Sequence, residues 1–283
     1  MSYILYREEI DKTFEEYKKD NSPSELISSG RRGYNWHDVS VPQYYPRVKM
    51  SDLIYYKVDG NQNDIFARLR GDVADKIILG TFDEFKKYVR RQTAPRSLNL
   101  FNQCGKVGKR LRQKAIQEAK ERYKDLTKSQ LDPLHKLAVK LARYESYLLT
   151  SLVHYKISRE SAITIDGLIN EIFPMEINKG IDATQMGFKD KITPDFLLTN
   201  PLAIGDLKTG PPGNHYKIAL AGYALAYEKQ YRKDVDLGFI LYFDAKKSLQ
   251  TPNFEIDVFI VSDTLRNVIV QYYNLSYVQY DVQ

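Results

Sequence analysis

With a single cysteine, Cys104, among 283 residues, the chain has no internal disulfide and no zinc or iron–sulfur site of its own built from several cysteines. No stretch approaches the roughly 20 apolar residues that a membrane-spanning helix needs, so no membrane partner is expected. The N-terminal run MSYILYREEIDKTFEEYKK turns acidic and helical within its first residues. It lacks the form of a signal peptide, and a cytoplasmic location is expected. There is no Gly-rich phosphate loop and no Ser/His/Asp arrangement at recognisable spacing, which argues against common classes of small-molecule enzyme. Glycine is sparse at 15 residues, and Trp36 is the one tryptophan.

What the chain does have is a soluble balance, 43% hydrophobic and 28% charged, and enough length for one large α/β domain or a core with a helical annex. The net charge of +6 and the pI near 9.0 suit a polyanionic partner without requiring one. The 22 tyrosines fit two readings: stacking on unpaired bases, or amphipathic packing in a stiff protein.

Along the chain, residues 4–19 read as a charged helix and 21–48 as a loop-rich segment. Ser51-Asp52 could cap a short helix, and a helical run is expected over 82–92. A long helical region follows over 105–157, with a break expected near Pro133. Its basic stretch 106–124 carries eight Lys/Arg against two Glu. Lys109, Arg110 and Arg112 there are candidates for contact with a nucleic-acid backbone, and the alternative is an ordinary solvated helix face. From 170 the texture changes to short apolar or alternating runs punctuated by Gly, Pro and Asn, which predicts strands in a meander. A helix is expected over 216–228, strands over 235–243 and 253–261, and a closing helix capped by Ser262. The division expected is a mainly helical region over 1–164 and an α/β core over 165–283.

The chemistry concentrates in ITPDFLLTNPLAIGDLKTG. Asp195 begins one expected strand and Asp206-Leu207-Lys208 ends the next, with Asn200-Pro201 at the turn. A hairpin of this form brings the two carboxylates to one end, and strand alternation puts Asp206 and Lys208 on one face. Asp195, Asp206 and the Leu207 carbonyl then make a hard oxygen set suited to Mg²⁺ or Mn²⁺. Lys208 stands where it could orient a water and stabilise charge on a phosphodiester.

These residues also carry a resemblance. FPMEINKGIDATQMGFKDKITPDFLLTNPLAIGDLKTG, YKIALAGYALAYEK, DVDLGFILYF and the upstream GRRGYNWHDVSVP resemble the archaeal CRISPR-associated Cas-four exonucleases, in particular the Csa-one variant. The resemblance implies a RecB-like PD-(D/E)xK nuclease core, a mixed central sheet flanked by helices, with a helical N-terminal half. The implied activity is metal-dependent cutting of DNA, single strands favoured, before spacer integration, with integrase subunits as partners. By position Asp195, Asp206 and Lys208 would be catalytic, and Tyr223 would belong to a helix that meets DNA. Ala219 stands where that helix normally has glutamine, and Lys217 is a further candidate for DNA contact.

Two more positions depart from the family pattern. The four cluster cysteines are missing, with Tyr56 at the N-terminal position and none in the tail YYNLSYVQYDVQ, so no iron–sulfur cluster is expected. The metal-binding histidine that follows a glycine is missing after Gly80, where Glu84 could stand in. His154 is the competing metal ligand, or else a half-buried helix histidine, and His37, His135 and His215 are less well placed. Glu176 could face the centre or be a surface strand carboxylate. The leading expectation is an active deoxyribonuclease. The alternatives are a catalytically weak or inactive DNA-binding subunit of the same fold, or a restriction or viral recombination nuclease.

Overall fold

A computed structural model describes residues 8–16, 65–95, 99–124, 126–186, 188, 191–243 and 254–280. The expectations for 21–48, Ser51-Asp52, His37 and Tyr56 lie outside the described residues, and so do those for the side chains of the tail.

After a helical stretch over 8–16, the first long helix is α1, Ile65–Arg90. Its buried stripe Leu69, Val73, Ile77, Phe85 and Val89 recurs every fourth residue, or every eighth across Thr81, and is fully inaccessible. Sequence periodicity sees only its last third, because Gly71 and Gly80 interrupt the pattern. Packing explains both glycines. A Cβ at Gly71 would lie 2.9 Å from the Thr209 hydroxyl, and one at Gly80 2.9 Å from a Leu111 methyl. Tertiary approach outweighs helix propensity here.

α2, Leu100–Arg122, starts on Asn99, whose side chain accepts from the Asn102 N–H. α3, Lys128–Arg159, starts after Thr127, so the break between the helices falls before it and not at Pro133 as expected. Pro133 lies in the second turn of α3, and the helix runs through it at the cost of one backbone hydrogen bond. The short α4, Ile165–Ile172, is capped by Thr164.

The strands are β1 Met175–Ile177, β2 Ile181–Asp182, β3 Lys191–Ile192, β4 Phe196–Thr199, β5 Leu202–Lys208, β6 Leu237–Phe243 and β7 Phe254–Ile260. Helix α5, Asn214–Tyr231, connects β5 to β6, and α6, Asp263–Tyr280, closes the chain. The main sheet has the order β1-β4-β5-β6-β7, and β2 pairs with β3 apart from it. Only the β5/β6 pair is parallel, as its helical crossover requires, so the sheet is mixed.

Alternation along the strands sorts the core into two faces. Phe196, Leu198, Ala203, Leu207 and Phe239 pack against α1–α4. Leu197, Ile204, Ile240 and Tyr242 pack against α5 and α6. Each Leu, Ile or Phe among them contributes about 1.5–3 kcal/mol. Gly205 is required by close approach: a Cβ there would fall 2.1 Å from the Phe239 ring.

Candidate active site

The β4/β5 hairpin turns on Asn200 and a cis Pro201, with Thr199 opposite Leu202 and Phe196 opposite Gly205. Continuing that register by one rung sets Asp195 opposite Asp206. Leu207 points the other way into the helical core, and its N–H donates to Asp195 Oδ2 at 2.8 Å. Asp195 is further fixed through its carbonyl, which accepts from the Asn178 N–H at 3.1 Å. Lys208 pairs with Asp206 Oδ2, and its ammonium lies 5.4 Å from the Tyr216 ring centroid. The structure thus brings Asp195, Asp206 and Lys208 together at the C-terminal end of β5.

A fourth group was not foreseen. Asp75 comes from α1, one turn beyond the Gly71 that touches Thr209. Its carboxyl is pushed up to about 8, chiefly by burial, with Asp206 and Asp72 raising it further and Lys208 lowering it. Asp195 is also held well above the usual carboxylate range by burial, by the charge and hydrogen bond of Asp206, and by Asp75, against the lowering effect of the Leu207 N–H. Asp206 itself is only 5% exposed. Three carboxylates therefore share one ammonium in a poorly solvated site. Such a site stores a deficit of positive charge, which a proton or a cation relieves.

The donor set fits a hard divalent cation in kind: carboxylate oxygens throughout, with Asp75 Oδ1 buried and without a hydrogen-bond partner among the described residues. As the side chains stand, no group of three or more His, Cys, Asp or Glu forms a metal cluster among the described residues. One oxygen of Asp206 faces Lys208, and one of Asp195 faces the Leu207 N–H. Asp75 and Asp195 both open into a cavity of about 570 Å³ between α1, α2 and the end of β1.

The other candidates scatter. His154, half-buried on α3, is not among the groups that act most on Asp75 or Asp195. His135 is exposed, and the His215 ring centroid lies 3.9 Å from that of Tyr216, the rings tilted by 50°. Glu84 pairs with Arg110 at 2.5 Å and Glu176 with Lys179 at 2.8 Å. Lys217 is held by Asp257 at 2.9 Å and lies over Phe259, while Tyr223 is half-buried against the α5-side core. Lys109 and Arg112 line a different groove.

No helix among the described residues is long and apolar enough to cross a membrane. No solved structure matches the chain. Over 240 residues it is 24% identical to the CRISPR-associated exonuclease Csa1 of Saccharolobus solfataricus (strain ATCC 35092 / DSM 1617 / JCM 11322 / P2), which covers 83% of this chain and 78% of that relative. Residues 5–275 match the family model described as CRISPR-associated exonuclease Csa1, and with nearly the whole length covered the chain belongs to that family.

Proposed function

We propose that this chain is a divalent-metal-dependent deoxyribonuclease that trims DNA, single strands preferentially, before spacer integration. In this reading residues 165–283 are a RecB-like PD-(D/E)xK core, and the mainly helical 1–164 completes the site through Asp75. Family membership supports a CRISPR-associated nuclease. The observation that carries the chemistry is the rung that sets Asp195 against Asp206 beside Lys208, with the buried Asp75 carboxyl feeling the same charges.

Asp75, Asp195 and Asp206, with the Leu207 carbonyl, would hold Mg²⁺ or Mn²⁺, and no iron–sulfur cluster is part of the scheme. The cation would supply Lewis acidity toward the phosphate oxygens. Lys208 orients the attacking water and offsets the negative charge that grows as the new P–O bond forms and the old one breaks. Tyr216 and Tyr242, 6.2 Å apart, wall the loop after Lys208 and keep its ammonium in a restricted volume. Tyr223, Lys217 and His154 are assigned to the DNA-facing surface and the outer metal environment. The setting proposed is the cytoplasm, with integrase subunits as partners.

The test is a titration of Mg²⁺ and Mn²⁺ against cleavage of labelled single- and double-stranded DNA, run beside Lys208→Ala. Cutting that requires the cation and vanishes in a Lys208→Ala protein of unchanged thermal unfolding is the expected result. Cutting that persists in chelator, or in the variant, overturns the assignment. Tight DNA binding without turnover in either metal would make the chain a binding subunit.

A further inference from the structure

The cations of the basic helix α2 fall into two sets. Some are neutralised: Arg110 pairs with Glu84 at 2.5 Å, Lys114 lies 3.9 Å from Glu118, and Arg122 lies 2.6 Å from Asp72. Of the rest, Lys109 and Arg112 line a groove of about 450 Å³ between α2 and α3, to which α3 adds Arg143. No ion pair to any of these three is found among the described residues, and no acidic side chain lines the groove. The floor is low because the residues are small: Gly108 sits against Ala142, and a Cβ at Gly105 would meet nothing within 4 Å. On the rim stands Tyr147, 68% exposed. Tyr155, two turns later, is by contrast occupied by Arg159, whose guanidinium lies 5.3 Å from its ring centroid.

Cations on both walls of a groove, an exposed aromatic ring and an apolar floor are the elements by which proteins hold a strand with unstacked bases. A solvated helix face does not need the groove, and cations of one sign only, with no acid lining it, are complementary to a polyanionic strand. We propose that the α2/α3 groove binds single-stranded DNA, with Tyr147 stacking on a base and Lys109, Arg112 and Arg143 contacting the backbone. This inference rests on the nuclease reading and assigns it a second, remote strand-binding site. The groove centre at Gly108 lies eleven residues along α2 from Ala119, which lines the cavity holding Asp75 and Asp195. At the helical rise that is about 16 Å, so a single strand can occupy both places.

The experiment measures binding of a fluorescent oligothymidylate by anisotropy in chelator, with the whole chain, across a salt series. Tyr147→Ala is expected to weaken binding about tenfold, as loss of one stacked base does, while Tyr147→Phe binds as wild type. Gly105→Leu, which fills the groove where there is open space, weakens binding without lowering Tm. The triple change of Lys109, Arg112 and Arg143 to Gln flattens the slope of log affinity against log salt by about 2, from 0.7 per phosphate lost. Equal affinity in wild type, Tyr147→Ala and Gly105→Leu overturns the proposal, as does an absence of oligothymidylate binding by the wild type. Cleavage assayed in parallel separates the two readings. Cutting with unaffected groove variants removes the groove alone, and groove-dependent binding without cutting in any cation removes the nuclease and leaves the groove.

Discussion

Two buried ionic clusters, one between α5 and α6 and one where α1 meets the end of β5, differ in whether their charges balance. In the first, Arg266 on α6 is fully buried against Glu228 on α5. It donates to Glu228 Oε1 at 2.7 Å, to Glu228 Oε2 at 3.3 Å, and to the carbonyls of Val235 and Val261, with Asp263 at 3.9 Å. Glu228 Oε1 also accepts from the Val235 N–H at 2.8 Å. Both Glu228 oxygens and the guanidinium are engaged, so the cluster has nothing left to bind. The second cluster, Asp75, Asp195, Asp206 and Lys208, has a surplus of carboxylate, an unpartnered oxygen and an opening to a cavity. A saturated network fixes structure; an unsaturated one of similar burial is a place for chemistry.

That contrast can be broken by substitution. The largest effect falls on the saturated cluster: Arg266→Ala strands the Glu228 charge and should cost about 3–5 kcal/mol in denaturant unfolding. A loss below 1 kcal/mol would show that the network holds nothing. Next comes Lys208→Ala, which should lower cleavage by about 10²–10³-fold, the loss typical of one aligned donor, and leave unfolding nearly unchanged. A stability loss matching that of Arg266→Ala would erase the distinction.

The pH response sharpens it further. Asp75 has a folded-state pKa near 8 against about 3.9 unfolded, so the folded protein holds the proton more tightly. Its contribution to stability is complete below about pH 4 and is lost as pH rises toward 8. Metal-free Tm should therefore fall between pH 5 and pH 8, Asp75→Asn should flatten that fall, and added Mn²⁺ should raise Tm more at pH 8 than at pH 5. Parallel Tm curves for wild type and Asp75→Asn would count against a shared-charge centre. The smallest effect is at the start of α6, where Ser262 accepts a long 3.4 Å bond from the Leu265 N–H. Ser262→Ala should cost about 0.5–1 kcal/mol with no change in cleavage.

The same contrast explains what was legible in the sequence. Asp195, Asp206 and Lys208 sit on adjacent strands joined by a two-residue turn, so strand alternation alone brings them together. The helix and strands after 214 are legible as apolar runs set off by polar residues, and their ends fall within a few residues of expectation. Asp75 was hidden because it joins the site across 120 residues of chain, on a helix whose glycines blur its period. Arg266 and Glu228 were hidden for another reason: a charged residue in a helix reads as solvated unless its burial is known. Three of the eight cations of the basic run are neutralised by acids on other turns or helices, and only geometry separates Lys109 and Arg112 from Arg110 and Arg122.

The account's central claim is that the carboxylates gathered at the end of β5 are a cation site. Isothermal titration of Mn²⁺ into the metal-free chain at pH 8 tests it most directly. A single saturable site that disappears in Asp206→Asn, weakens in Asp75→Asn and persists in Arg266→Met is the predicted result. Binding that is absent, or that survives Asp206→Asn and Asp75→Asn unchanged, would contradict it.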